Sequence, residues 1–336
     1  MDRRIPDLAW SHSKQKVRRM KIVVLDGYAM NPGDLSWTAL QQLGTVEIYD
    51  RTPVAETLSR IGDATVVLTN KAVLTGSVIR SAPRLKYIGV MATGYNVVDL
   101  DAAKEKGIVV TNVPTYSTVS VAQFTFAMIL SFCNNVAEYC SSVDQGDWVR
   151  SDDFSYQLSP QIELQDKTLA IVGLGKIGQA VARIGLAFGM RVIAAHKHPE
   201  RDAMAGVTFT DLNTCFQTAD FLSLHAPLNA DNKGFVDKAN LQQMKSTAFL
   251  INTSRGPLVN EADLADALNS GRIAGAALDV LSIEPPEADN PLFQAKNCRI
   301  TPHIAWATFE ARSRLMDVVV DNIRQWSDGR PVNVVV

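Results

Sequence analysis

The sequence has little that would staple a fold covalently or carry it into a membrane. Its four cysteines, Cys133, Cys140, Cys215 and Cys298, are scattered, form no CxxC pair, and match neither a disulfide framework nor a zinc knuckle. A reducing, cytoplasmic setting is the resulting expectation. The longest apolar run, "FTFAMILSF" at 124–132, is about half of what a bilayer span requires and continues into Cys-Asn-Asn, so it predicts a buried helix. An excess of charge of one sign is missing too: 33 basic and 35 acidic residues leave a formal net charge of −2, with both signs interspersed. That balance gives no electrostatic reason to expect nucleic acid or an anionic membrane as partner and points to a small molecule. The first 19 residues, "MDRRIPDLAWSHSKQKVRR", lack the apolar core and small-residue cleavage site of a secretory signal. They read as a disordered tail ahead of the strand "KIVVLD".

Length and rhythm are what the sequence does have. At 336 residues the chain exceeds one ordinary core and fits two domains. From residue 21, β-branched runs ("KIVVLD", "TVEIYD", "TVVLTN", "LKYIGVM", "IVVTNV") alternate with helical segments such as "VAETLSRIG" and "LDAAKEKG". That alternation is the signature of a parallel sheet covered on both faces. It breaks at 117–146, which reads as one long helix with Ser120 and Gln123 spaced as a capping box and Gly146 as its stop. A second series follows ("TLAIVG", "RVIAAH", "FLSLHA", "AFLINTS", "GAALDV", "CRITPH"), so the prediction is an α/β chain with two doubly wound parallel sheets. The closing helix, 309–327, carries Leu315, Val319, Ile323 and Trp326 on one face. Packed back on the first domain, it would make that domain discontinuous.

"AIVGLGKIGQAVARIG" places Gly173, Gly175 and Gly178 as GxGxxG after a strand and at the start of a helix. The backbone there must turn tightly, approach a diphosphate, and let helix pack on strand, which calls for glycine and predicts a dinucleotide site. Leu174, Lys176 and Ile177 complete that loop. The following strand ends in "AAHKHPERD", with His196 where an NAD enzyme usually carries an acid for the ribose hydroxyls. With no carboxylate expected at hand to repel a 2′-phosphate, and Lys197, His198 and Arg201 within reach of one, NADP(H) is the favoured cofactor and NAD(H) the alternative. A metal is disfavoured, since two histidines two apart have no nearby third ligand; a solvated loop is the bland reading.

Only five histidines are present. His12 lies in the tail, and His196 and His198 belong to the loop just described. A histidine general acid is therefore His225 or His303, both at strand ends. Arg255 in "LINTSRGPLV", Asp279 in "AALDVLS" and Glu284 in "LSIEPP" stand alone in stretches poor in charge. Each by itself suits a loop ion pair as well as a site.

In this order and spacing, "GLGKIG", "NTSRG", "LDVLSIEPP" and "TPHIAWAT" resemble the D-isomer-specific 2-hydroxyacid dehydrogenases from about residue 20 onward. Within that family, "GYNVVDLDAAKEKGI", "YSTVSVAQ" and "HIAWATFEAR" are most similar to glycerate dehydrogenases, also called hydroxypyruvate reductases. The resemblance implies a catalytic trio. His303 would exchange a proton with the substrate C2 oxygen, Glu284 would hold its other ring nitrogen and favour the imidazolium, and Arg255 would bind the carboxylate and polarise the carbonyl. It further implies that Asp279, His225, Pro227, Thr253 and Ser254 line the cofactor. Ala92, Thr93 and Gly94 would take the substrate carboxylate, with Asn70 and Lys71 facing the same cleft. Trp306, where many relatives carry glycine, would narrow the pocket.

The same resemblance implies a Rossmann cofactor domain over 117–301 and a flavodoxin-like substrate domain, or lid, over 20–116 plus 302–336. The helix starting near 118 would serve a homodimer. Reduction of hydroxypyruvate or glyoxylate to D-glycerate or glycolate is the leading expectation. D-lactate dehydrogenase and phosphoglycerate dehydrogenase are alternatives within the family, and a dinucleotide-sensing, corepressor-like binding protein is one outside enzymology.

Overall fold

Runs of mostly apolar residues four to five long, buried on both faces, form six of the twelve strands, as the interior of parallel sheets requires. The computed structural model describes residues 20–336, and the tail expected over 1–19 lies outside the described residues. The chain divides into two units, one running up to Tyr116 and resuming at Arg312–Val336, the other Ser117–Ala311.

The first unit holds a five-stranded sheet of β1 (Met20–Val24), β2 (Gly44–Ile48), β3 (Val66–Thr69), β4 (Tyr87–Val90) and β5 (Val109–Thr111), in the order β2-β1-β3-β4-β5. Every named pairing is parallel. The helix Phe309–Ser327 returns to this unit: Trp326 packs on Tyr87 with ring centroids 4.9 Å apart, and Asn322 Nδ2 donates to the Asn112 carbonyl at 3.0 Å. Arg312, 7% exposed, donates two bonds of 2.6 Å to the Asp34 carboxylate.

The second unit holds seven parallel strands: β6 (Thr168–Val172), β7 (Arg191–Ala195), β8 (Val207–Phe209), β9 (Phe221–Leu224), β10 (Phe249–Asn252), β11 (Gly275–Leu278) and β12 (Cys298–Ile300). Their order is β12-β11-β10-β9-β6-β7-β8, so the direction of winding reverses between β6 and β9. Side chains alternate between faces. Leu169 and Ile171 join the core under helices Thr118–Asn134 and Lys176–Ala187, while Ala170 and Val172 join the core on the other side.

Three expectations are corrected. The single helix over 117–146 is two, Thr118–Asn134 and Val136–Asp144, bent by 55° at Asn135. Asn135 takes φ 47°, a left-handed conformation that asparagine tolerates better than most residues. Its amide donates to Ser159 Oγ at 2.7 Å and accepts from Arg299, which fixes the break. No capping box forms either, because Ser120 Oγ donates to the Ala305 carbonyl at 2.6 Å and Gln123 is exposed. Finally, the short edge strand β8 goes unpredicted, and residues 302–311 stay with the second unit because Ile304 and Ala305 donate their amides to Asp279. Among the described residues no single helix is long and apolar enough to cross a membrane; the bent pair passes only in combination.

Candidate active site

Parallel strands deliver their following residues to one edge of the sheet, and in the second unit that edge collects the charged and polar residues singled out above. The glycine loop follows β6, His196 follows β7, His225 follows β9, Thr253 to Arg255 follow β10, Asp279 follows β11, and His303 follows β12.

The three glycines have different reasons to be there. Gly173 sits at φ +97°, and a Cβ on it would lie 2.6 Å from the Ala226 nitrogen; one on Gly178 would lie 2.2 Å from the Gly173 carbonyl. Both are fixed by the fold itself. Gly175 is different: its φ of −73° suits any residue, and a Cβ there would meet nothing within 4 Å. Neither strain nor packing calls for glycine at 175, so close approach of a bound group explains it. Gly175 also precedes a helix of 12 residues with no side-chain cap and no acid in its first turn, and the positive end of that helix suits an anion. The loop therefore fits a dinucleotide diphosphate.

At the end of β7 the structure departs from expectation. His196 Nδ1 accepts the Leu174 N–H at 3.0 Å, so Nε2 carries the proton and donates it to Asp202 Oδ2 at 2.7 Å. Arg201 donates to the same oxygen from Nε at 3.1 Å and Nη2 at 2.6 Å. A carboxylate thus stands within the cluster and occupies Arg201, one of the three groups counted on for a 2′-phosphate, together with His196. The Arg201 guanidinium and then His196 hold its carboxyl down at about 2. Lys197 and His198 are exposed.

The two candidate acids differ in environment. His225 is bonded through Nε2 to Ser223 Oγ at 2.8 Å, and burial pushes it down to about 4, so near neutral pH it holds no proton to give. His303 instead sets Nδ1 against Glu284 Oε2 at 2.6 Å, with both side chains about one-third exposed. Its φ of 54° is unusual for a residue with a Cβ and costs on the order of 1 kcal/mol, which its neighbours hold in place. The His303 amide donates to the Asp279 carbonyl at 2.8 Å. The Asp279 carboxylate accepts from Ile304 and Ala305 at 2.8 Å each and from Thr301 Oγ1 at 2.7 Å. Only 1% exposed, with its carboxyl raised by burial, Asp279 is engaged in shaping the turn that bears His303.

The Arg255 loop is held from beneath. Asn252, fully buried, donates to the Arg255 carbonyl at 2.9 Å and accepts the Ser254 amide at 3.0 Å. Ser254 Oγ donates to the Ala226 carbonyl at 2.7 Å, and Thr253 Oγ1 bonds Thr125 at 3.0 Å. Arg255 itself is exposed and donates to the Ser254 carbonyl. A Cβ on Gly256 would lie 2.0 Å from the Leu281 carbonyl carbon, so this loop rides against the one that carries Glu284. Glu261 braces the latter by accepting from the Ser282 amide at 2.6 Å and from Asn290 at 2.8 Å. Pro227 is exposed beyond His225, and Trp306 is half-buried in the turn after His303.

In the first unit, Asn70 is 5% exposed and spends its amide on the Met91 carbonyl at 2.7 Å, so it props the loop after β4. Buried Asp26 accepts the amides of Asn70, Lys71 and Ala72. Thr93 is tied at both its hydroxyl and its carbonyl, to Val113 and Asn112. The backbone N–H groups of Ala92, Thr93 and Gly94 meet no acceptor among the described residues. Lys71 lines a cavity of about 310 Å³ with Tyr28, Arg51 and Thr52. Asp26, Asn252, Glu261 and Asp202 are absent from the sequence expectation; Asp26 and Asn252 are polar residues at or just past a strand end, which is the signal that would have found them, whereas Glu261 and Asp202 lie further along their loops. No group of three His, Cys, Asp or Glu placed for a metal occurs among the described residues.

Comparison with known proteins agrees with this geometry. Residues 126–305 match the family model described as D-isomer specific 2-hydroxyacid dehydrogenase, NAD binding domain. The chain is 48% identical to a hydroxypyruvate reductase of Blautia hydrogenotrophica over 321 residues, 94% of this chain and 99% of that one. It is 38% identical to a glycerate dehydrogenase of Methylorubrum extorquens over 282 residues, 83% and 88% of the two chains. Among solved structures, an acyclic imino acid reductase in complex with NADPH and D-Arg is similar at a TM-score of 0.82 and 32% identity, covering 94% of this chain and 100% of that one. With the matched segment spanning the glycine loop, Arg255, Glu284 and His303, the chain belongs to the D-isomer-specific 2-hydroxyacid dehydrogenases, enzymes that interconvert 2-keto and D-2-hydroxy acids with a nicotinamide dinucleotide.

Proposed function

We propose that this enzyme reduces hydroxypyruvate, and glyoxylate as a second substrate, to D-glycerate and glycolate, with Arg255, Glu284 and His303 as its catalytic residues. The observation that carries the proposal is the 2.6 Å contact between His303 Nδ1 and Glu284, on the same sheet edge as a glycine loop that fits a diphosphate. A bound nicotinamide supplies the hydride to C2. His303 donates the proton from Nε2 to the C2 oxygen, and Glu284 accepts from Nδ1–H, steadying the ring and its positive charge before the transfer. Arg255 pairs with the substrate carboxylate through its planar fork, and the N–H groups of Ala92, Thr93 and Gly94, in the first unit, are suited to an anion. Trp306 restricts the substituent at C3 to small groups. Residues 173–178, with His225, Pro227, Thr253 and Ser254, hold the dinucleotide, while Asp279 supports the His303 turn. The enzyme works in the cytoplasm as a homodimer that uses the helix Thr118–Asn134 at its interface.

The test is a comparison of initial rates on hydroxypyruvate, glyoxylate, pyruvate and 3-phosphohydroxypyruvate with each coenzyme. Highest kcat/KM on hydroxypyruvate supports the proposal. A preference for pyruvate or for the phosphorylated acid would reassign the enzyme within its family.

A further inference from the structure

We propose that Asp202 is the residue that receives the adenosine ribose hydroxyls and makes this enzyme prefer NADH to NADPH, an inference that rests on the dinucleotide reading of the glycine loop. A ribose diol needs a hydrogen-bond acceptor at the end of β7. His196 stands at that position and offers none: Nδ1 is taken by the Leu174 amide, and Nε2 is a donor already committed to Asp202. The acceptor has to come from elsewhere in the turn.

Asp202 meets the requirement. The turn from 198 to 202 closes through the Asp202 amide on the His198 carbonyl at 3.2 Å and brings the carboxylate back to the strand end. Three donor atoms, one on His196 and two on Arg201, converge on Oδ2, while Oδ1 has no partner among the described residues. The side chain is 17% exposed, so it is anchored yet reachable. Held ionised down to about pH 2, it presents a full negative charge at every assay pH. A neutral diol can donate to that oxygen. A 2′-phosphate brings roughly −1.5 to −2 charges to the same place and has no proton to offer it. Lys197 and His198 remain as cations, but both are exposed, whereas the carboxylate is fixed by its three bonds.

Dissociation constants for NADH and NADPH, read from the quenching of protein fluorescence and from coenzyme emission without any keto acid present, test the assignment. The wild-type protein is expected to bind NADH about tenfold or more tighter than NADPH. Asp202→Asn, which keeps the shape but loses the charge, is expected to weaken NADH and strengthen NADPH, moving their ratio by roughly 10- to 100-fold. The proposal is overturned if the wild-type protein prefers NADPH, a result that needs no variant to fold. It is also overturned if Asp202→Asn weakens both coenzymes equally, since that would make Asp202 only a prop for His196. A protein with the expected binding ratio that reduces none of the keto acids with either coenzyme would defeat the proposed function and leave this assignment standing.

Discussion

Replacing Gly256 with alanine would test whether the Arg255 loop and the Glu284 loop are mechanically joined. The new methyl would stand 2.0 Å from the Leu281 carbonyl carbon, 2.1 Å from its oxygen and 2.4 Å from the Ser282 nitrogen, where ordinary contact begins at 3.4 Å. Backbone at 281–282 must therefore retreat by about 1.4 Å. Glu261 holds Ser282 at 2.6 Å and opposes that retreat, so the strain divides between both loops. Overpacking of this kind costs about 1–3 kcal/mol, a loss of roughly 2–12 °C in Tm for a unit of this size. The effect on rate is larger. Glu284 lies two residues beyond Ser282, and a displacement of about 1 Å breaks its 2.6 Å bond to His303, for a loss of about 100-fold in kcat. Steady-state rates on hydroxypyruvate, thermal melts and coenzyme titrations should show slow turnover in a folded protein that still binds coenzyme. A folded variant with kcat within about threefold of wild type would refute the coupling.

The remaining predictions isolate one property each. Gly175→Ala meets no atom within 4 Å and should leave Tm unchanged within about 1 °C while weakening coenzyme binding about tenfold or more; unchanged binding would move the diphosphate away from this loop. His303→Ala should lower kcat by about two orders of magnitude or more with the coenzyme dissociation constant nearly intact, and near-normal turnover would mean the proton donor lies elsewhere. His225 should contribute to acid sensitivity. The unfolded chain protonates near 6.5 and the folded one only near 4, so stability from the neutral ring is complete above 6.5 and is lost as pH falls toward 4. After discounting for partial solvent access the loss is on the order of 2 kcal/mol, and His225→Gln should flatten the decline of Tm across that window.

Alternation alone made both sheets legible, because a parallel strand buried on both faces has to be apolar throughout and its covering helix has to be amphipathic. What escaped depends on partners distant in sequence or on very short elements. Strand β8 is three residues long and bonded only to β7, too little for a periodic signal. The break at Asn135 relies on Ser159 and Arg299, 24 and 164 residues away, and periodicity carries straight across it. The strand-end residues Arg255 and His303 were visible as isolated polar groups in apolar context, with Glu284 in the loop after β11, and the family motifs gave them roles. Asp202 was in plain view at the end of "HKHPERD", yet its pairing with His196 depends on a turn folding back, which linear spacing does not encode. For Asp279 the charge after a buried strand was visible, whereas its part in the His303 turn was not, because its three donors come from the chain more than twenty residues later.

The discontinuity of the first unit has a consequence for how the protein is made. Its five strands emerge from the ribosome early, but the helix that supplies Trp326 to Tyr87, Asn322 to Asn112 and Arg312 to Asp34 emerges only after the intervening 195 residues. At ordinary elongation speeds that is a wait of roughly 10–40 s. During it, the earliest-made sheet stands with one flank bare. The bare flank is where a holding chaperone would act and where a prematurely released fragment would aggregate.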